Sequence, residues 1–483
     1  MPTISTPEWV KHAIFYQIFP DRFCRSPRTQ HVRGITFKPW GTPPEEQGYQ
    51  GGDLHGIVDK LDYLQDLGIT ALYLNPIFSS ASNHRYHAFD YLQIDPLLGG
   101  NEALRELLDE SHARGMRVVL DFVPNHASRG FWPFHHILEN GPNSPYLDWF
   151  HVTDWPLRPY SSDKDNPLNY AAWYGLPGLP KLNTDNPGVR DYLFQVTRFW
   201  LEFGIDGWRI DVPTEIDDDE FWREFRRIVK TVNPQAYIVG EIWLESKRWL
   251  QGDMYDAVMN YFFGQAAISF FGREKLLKSW NHPSLPISPI KAKEFAQKIE
   301  YFHGLYDWEI NFAQLNMLDS HDTPRALWVL GEDKTALRLT TLFHMTMPGA
   351  PCIYYGSEIG LSSAGDPHCR AAFPWHKPET WDTKLADFYK SAIALRHRYP
   401  VLRTGAFEPL YAQDRVYAFR RELEDEQALV FFNAAQSPQT LPITGHQLEN
   451  YHQAWPATPA TVSPSDNSIT IPAREAVVLI RSQ

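Results

Sequence analysis

The stretch "VRDYLFQVTRFWLEFGIDGWRIDV", residues 189–212, decides the fold. Val189, Leu193, Val196, Trp200 and Phe203 recur every three or four residues, which predicts a helix with one apolar face. Gly204 follows and can take the left-handed conformation that ends a helix. The next run, "IDGWRIDV", reads as a strand buried on both faces, yet it carries Arg209 and Asp211. Residues two apart share one face of a strand, so a guanidinium and a carboxylate are pressed together at its end. The pair is either a structural ion pair or part of a site.

The helix, stop, strand phrase recurs. In "GIVDKLDYLQDLGITALYLNP" (56–76), Ile57, Leu61, Leu64 and Leu67 line a helix face, Gly68 stops it and an apolar strand follows. In "NEALRELLDESHARGMRVVLDFVPNH" (101–126) the stop is Gly115, and in "DDEFWREFRRIVKTVNPQAYIVGE" (218–241) it is Asn233-Pro234. Helices alternating with continuous apolar strands imply parallel β/α units. Strands are expected near 13–19, 70–75, 117–123, 207–212, 236–241, 256–260, 314–319 and 351–355. Their polar residues collect at the C-terminal ends: Asn75; Asp121, Asn125 and His126; Arg209 and Asp211; Glu241; His321 and Asp322. A (β/α)8 TIM barrel builds its active site there, and that α/β fold is the expectation. The alternative is a doubly wound open sheet, but no Gly-rich phosphate loop marks a strand-order switch.

Two regions break the repeat. Residues 127–182 are rich in Pro, Asn and Tyr, and read as an inserted irregular domain after the third strand. After "RHRYPVLRTG" come short alternating runs, "RVYAFRR", "QALVFF" and "AVVLIRS", which read as a C-terminal antiparallel β-sandwich. The expected division is a barrel over 1–126 and 183–396, an insert over 127–182 and a sandwich over 397–483.

The net charge of −13 over 483 residues argues against a nucleic-acid partner, which needs clustered Lys and Arg. No run approaches ~20 consecutive apolar residues, so no membrane span is expected. The start, "MPTISTPEWVKH", lacks the parts of a signal peptide. Cys24, Cys352 and Cys369 are odd in number and show no C-x-x-C spacing; they read as reduced thiols of a cytosolic (cytoplasmic) protein, with no zinc site or other metal and no cofactor motif. Aromatic residues make up 14%, which by itself reads as core packing rather than as sugar-stacking platforms.

Asp211, Glu241 and Asp322 each end an expected central strand, and a barrel gathers such ends around one mouth. Each alone reads as a cap or a salt bridge, and His126 or His321 alone as a packing residue. The set, in register with the strands, is what carries meaning. Three carboxylates in one pocket repel, so at least one should hold its proton. Glycoside hydrolysis needs one carboxyl protonated and one ionised. Arg209 is expected to keep Asp211 ionised, and burial behind "AYIV" to favour neutral Glu241.

"DFVPNH", "GWRIDV", "VGEIW" and "MLDSHDTPR", in that order, resemble the four signature segments of the α-amylase superfamily of retaining glycosidases. "GITALYLNPIF", "LPKLN" and "GAPCIYYGSEIGL" resemble its accessory segments, and the likeness runs from Ile14 to roughly Pro374. "YQIFPDRF", "GGDLHGI" and "GDPHCRAAFPW" are similar to the cyclomaltodextrinase, neopullulanase and maltodextrin glucosidase branch. "SNHRYHAFDY" and "ASRGFWPFHHILENG" look like cyanobacterial-type debranching enzymes. The resemblance implies that Asp211 is the nucleophile, Glu241 the acid and base, and Asp322 a transition-state stabiliser. It implies that Arg209 positions Asp211, that His126 and His321 donate to sugar hydroxyls, and that Tyr86 stacks under the reacting ring. Asp366 and Arg370 would bind the non-reducing-side glucose, and Glu215 and Trp243 the leaving-group side. Asp121 and Asn125 would shape the site.

The chain also departs from that pattern. Many members carry an N-terminal β module that helps form a dimer; here the first expected strand begins about a dozen residues in, so the module is not expected and a homodimer would need another interface. "CRSPRTQHVRGITFKPW" stands where many members have a calcium loop, and it is poor in hard oxygen ligands, so no calcium is expected there. His87-Ala88 replaces a common Asp-Thr, which bears on exo versus endo action. The implied activity is hydrolysis of α-1,4 and α-1,6 bonds in maltodextrins, cyclodextrins, pullulan or branched glucan, with some transglycosylation. The rivals are a narrow exo-acting α-glucosidase, a sucrose-acting transferase and an inactive glucan-binding or transport-associated relative.

Overall fold

In a computed structural model, eight parallel strands close into a barrel: β1 Phe15–Ile18, β2 Ala71–Leu74, β3 Arg117–Phe122, β4 Gly207–Ile210, β5 Tyr237–Gly240, β6 Ala257–Asn260, β7 Leu315–Met317 and β8 Ala350–Tyr354. The structure describes residues 4–29, 34–46, 48–160, 165, 167–277, 286–443, 448–456, 461–463 and 467–481. Each barrel strand lies within a residue of a run expected from the sequence, and β8 pairs with β1 to close the ring. The open doubly wound sheet is excluded by that closure.

Alternation sorts the side chains. Phe15, Tyr73, Val119, Val239 and Met259 point into the barrel core, while Tyr16, Leu72, Leu120, Trp208 and Ile238 face the surrounding helices. Each fully buried large apolar side chain contributes about 1.5–3 kcal/mol, so both layers stabilise the ring. Continuing the inward series by two residues reaches Asn75 from Tyr73, Asp121 from Val119, Asp211 from Arg209 and Glu241 from Val239. Strand pleating alone thus delivers the polar set to the C-terminal mouth.

The helix expected over the "GIVDKLDYLQDL" phrase is two short helices, Leu54–Val58 and Leu61–Leu67. They part at Asp59, whose carboxylate accepts from Ser26 Oγ at 2.7 Å and pairs with Arg28 at 2.8 Å. Gly68 and Gly204 take φ of 95° and 112° and close their helices as expected. The stretch 127–182 is less irregular than its composition suggests. It holds the helix Trp132–Asn140, and single bridges pair Val152 with Tyr170 and Ala172 with Pro180.

The C-terminal strands are β9 Ala406–Gln413, β10 Val416–Leu423, β11 Glu426–Asn433, β12 Gln439–Pro442, β13 His452–Trp455, β14 Thr461–Ser463, β15 Ser468–Ile471 and β16 Glu475–Arg481. They form an antiparallel sheet in the order β9-β10-β11-β16-β13 and a smaller one in the order β12-β15-β14. Ala418, Leu429, Phe431, Leu441, Ile469, Ile471, Val477 and Leu479 fill the space between them. Among the described residues no helix is long and apolar enough to cross a membrane.

Candidate active site

Arg209 is the hub of the mouth. Fully buried, it ends β4 one residue before its last position and turns its guanidinium upward among carboxylates. Its Nη1 donates to Asp121 Oδ1 at 2.8 Å and to Asp211 Oδ1 at 3.0 Å. Its Nη2 lies 3.0 Å from Glu241 Oε2, an ion-pair contact. The sequence expectation gave Arg209 to Asp211 alone; the structure shares it among three acids. Burial and the charge of Glu241 push the Asp211 carboxyl well above the usual carboxylate range, and Arg209 pulls against them. Arg209 acts on Asp211 in the expected direction, against burial and a second carboxylate. Asp121 is likewise pushed up to about 6, by burial first.

Glu241 gathers more donors than Asp211. Trp243 Nε1 donates to its Oε1 at 3.0 Å, and the backbone N–H of Val212 donates to Oε2 at 3.1 Å. Val212 adopts φ 35°, ψ 52°, a left-handed conformation disfavoured for a β-branched residue and costing about 1–3 kcal/mol. That strained turn directs its N–H at Glu241 immediately after Asp211. Trp243 in turn lies flat on Tyr261, centroids 3.7 Å apart at 13°.

Tyr86 forms the floor. The loop that carries it is anchored by a buried ion pair, Arg85 Nε to Asp95 Oδ2 at 2.7 Å. The Tyr86 hydroxyl donates to Asp121 Oδ2 at 2.8 Å, accepts from Asn75 Nδ2 at 3.1 Å and lies 2.6 Å from His321 Nε2. The Tyr86 and His321 rings are parallel, 5.5 Å apart. Gln17 Nε2 donates to His321 Nδ1 at 2.8 Å, which assigns the imidazole proton to Nε2. Burial and the charges of Arg370 and Arg209 keep that imidazole neutral. Its Nε2–H faces Asp322 Oδ2 at 3.1 Å. The other Asp322 oxygen meets Arg370 Nη2 at 3.3 Å, and Arg370 Nη1 meets Asp366 at 2.9 Å.

His126 is buried beneath Trp173, with rings 5.0 Å apart at 15°. Its Nδ1 faces Asn125 Nδ2 at 3.2 Å, and the ring also hydrogen-bonds the Tyr86 backbone. Burial pushes His126 down to about 3, so the ring is neutral.

Of the sequence candidates, Asp211, Glu241, Asp322, Tyr86, Arg209, His321, Arg370, Asp366 and Trp243 form one connected network, and His126 joins it through the Tyr86 backbone. Glu215 stands apart. Half-exposed, it receives Lys181 Nζ on its backbone oxygen at 2.8 Å. Sequence reasoning missed Gln17 and Tyr73. Tyr73 donates to Asp121 Oδ2 at 3.0 Å, and the one detectable signal for Gln17 was a lone amide in an apolar strand. Cys24, Cys352 and Cys369 are buried free thiols. No described group of three His, Cys, Asp or Glu residues is arranged to hold a metal ion. Residues 30–33 of the segment expected to lack calcium lie outside the described residues.

A closed parallel barrel with an acidic, arginine-centred mouth and an appended antiparallel β unit is the architecture of a family of glycoside hydrolases. The catalytic-domain profile of the alpha-amylase family matches residues 17–384, and the chain belongs to that family. It is 42% identical to a cyclomaltodextrinase from Geobacillus thermopakistaniensis over 92% of this chain and 73% of that protein. Identity is also 42% to neopullulanase 2 from Thermoactinomyces vulgaris, over 90% of this chain and 72% of that protein. The acarbose-soaked debranching enzyme of Nostoc punctiforme superposes with a TM-score of 0.88 at 45% identity, covering 99% of this chain and all of that one. A cyclic α-maltosyl-(1→6)-maltose hydrolase from Arthrobacter globiformis, in complex with that cyclic sugar, gives a TM-score of 0.86 at 35% identity, over 99% of this chain and all of the other.

Proposed function

We propose that this glycoside hydrolase cleaves α-1,4 and α-1,6 glucosidic bonds of maltodextrins, cyclodextrins, pullulan or branched glucan with retention of configuration. The observation that carries the reading is one guanidinium touching both Asp211 and Glu241 at 3.0 Å. Two carboxylates on adjacent nitrogens of one Arg favour the close spacing of a retaining pair, ~5–5.5 Å, over the ~6.5–9.5 Å of an inverting pair. At that spacing two charges repel by about 3 kcal/mol with an effective dielectric near 20. Hydrolysis requires the proton on Glu241 and the negative charge on Asp211.

Asp211 then attacks the anomeric carbon while Glu241 protonates the departing oxygen, and a covalent glucosyl-enzyme forms. Water, deprotonated by Glu241, releases the sugar and restores both groups. A second sugar in place of water gives transglycosylation. Asp322 accepts from hydroxyls of the reacting glucose, and neutral His321 and His126 bound the same sugar. Tyr86 supplies the stacking face. Asp366 and Arg370 bound the non-reducing side, and Trp243 the leaving-group side. Glu215 would join only with a longer chain, because it now faces Lys181.

The names of the relatives support both bond types: a neopullulanase, a debranching enzyme and a hydrolase of an α-(1→6)-linked cyclic maltoside. Cytoplasmic action is supported by 39% identity to an intracellular maltogenic amylase of Bacillus subtilis. The same reading divides the chain into a barrel (1–126, 183–396), an insert (127–182) and a C-terminal sandwich (397–483). The test is a product profile on pullulan, cyclodextrin and branched dextrin. Panose or maltose together with opened cyclodextrin is expected; glucose alone, released from chain ends, would reject the proposal in favour of an exo-glucosidase.

A further inference from the structure

A cavity of about 470 Å³ lies where the larger C-terminal sheet meets the outer helices of the barrel. Arg338, Phe388, Gln436, Trp455, Arg474 and Glu475 line it. Arg338 comes from helix Lys334–Thr346 and Phe388 from helix Thr383–Arg398. Trp455 arrives through a break in strand register. Gln453 opposes Leu479 and Trp455 opposes Val478, so two steps along β13 match one along β16. Cross-strand partners share a face. Leu479 packs between the two sheets, whereas Val478 packs toward the barrel. The bulge thus turns Trp455 out of the sandwich and toward the barrel. There its ring meets Phe388 edge-on, centroids 5.1 Å apart at 86°.

Trp455 Nε1, Arg338 Nε and Arg474 Nε are buried donors without a hydrogen-bond partner among the described residues. Three such donors on residues lining one cavity call for an acceptor-rich occupant. Charge decides its class. Arg474 pairs with Asp333 at 2.9 Å, and Arg338 lies within electrostatic reach of Glu475. Each lining arginine already faces an acid, so neither is a free cation for an anionic ligand. Aromatic faces beside planar Arg, carboxylate and amide groups suit a neutral polyhydroxylated ring, with C–H faces to stack and hydroxyls to pair. The volume falls within the roughly 300–1,000 Å³ of small-molecule sites.

We propose that this junction is a second saccharide site, separate from the carboxylate mouth, which holds a length of the α-glucan chain being cleaved. It rests on the α-glucan reading above. The test uses the full chain. In Asp211→Asn protein, calorimetric titration with maltotetraose should give two sites, and adding Arg338→Ala or Glu475→Gln should leave one. In otherwise unaltered enzyme those substitutions should raise KM for soluble starch about tenfold, the scale of one lost stacking or hydrogen-bonding unit, while an aryl maltoside is turned over as before. Neither substitution removes the Trp455–Phe388 packing, so folding is retained; Trp455→Ala gives the same split. A single site in Asp211→Asn protein, or an unchanged starch KM in both variants, overturns this proposal while leaving the hydrolase reading intact. Failure to hydrolyse any α-glucan would instead overturn the reading on which it rests.

Discussion

Asp206 and Asp211 flank the same four-residue strand, and both are nearly buried. Asp206, at the N-terminal end, accepts from His112 Nε2 at 2.7 Å, Arg117 Nη1 at 2.9 Å and the Val118 N–H at 2.9 Å. Its charge is met by an imidazole, a guanidinium and a backbone donor. Asp211, at the C-terminal end, has one guanidinium shared with Asp121 and Glu241. A strand end that answers its carboxylate stores stability; one that leaves its carboxylates in competition stores reactivity. Asp256 repeats the first pattern, with Arg226 and Lys230 each at 2.8 Å.

The contrast can be broken most sharply by Asp211→Asn. Turnover should fall about 10⁴-fold or more, as when a nucleophile is removed, with Tm within a few degrees of the parent. A near-normal rate would remove Asp211 from the chemistry. Glu241→Gln comes next. A loss of about 10²–10⁴-fold is expected on maltodextrins and a much smaller one on an activated aryl glucoside, whose leaving group needs little protonation. Equal losses on both would reassign the proton donor.

The structural carboxylate predicts the opposite behaviour. Asp206→Asn should cost about 1–3 kcal/mol in urea unfolding, since the half-exposed His112 and Arg117 regain water, while kcat per folded molecule stays within about twofold. A large fall in kcat would erase the distinction between the two ends. The smallest effect concerns acid. Burial holds His344 down near 3, so it stays neutral when folded and takes a proton on unfolding below about 6.5. Its contribution is complete above about pH 6.5 and is lost as pH falls toward 3. His344→Gln should flatten the decline in stability between pH 7.5 and 5.5 by about 1 kcal/mol. The raised Asp121 works the other way, favouring the folded state as pH falls below about 6. An unchanged slope in the His344 variant would mean that the residue is solvated.

The eight barrel strands were legible because a parallel strand buried on both faces must be a continuous apolar run, with its polar residues expelled to the ends. Asp211, Glu241 and Asp322 were legible for the same reason, as exceptions at those ends. The division of the first phrase into two helices was not, because it depends on Ser26 and Arg28, about thirty residues away, drawing Asp59 out of line. Nor was the role of Gln17, which fixes the His321 proton across the barrel.

By itself, then, the sequence determined which residues are strand, which face the barrel interior and which acids stand at its mouth, because pleating and burial act locally along the chain. Only the tertiary structure decided how one arginine is divided among three carboxylates, which nitrogen of His321 carries its proton and which way Trp455 turns. Those outcomes depend on distances between segments remote in sequence, and a shift of about an ångström there changes a charge–charge or hydrogen-bond energy by as much as the chemistry requires.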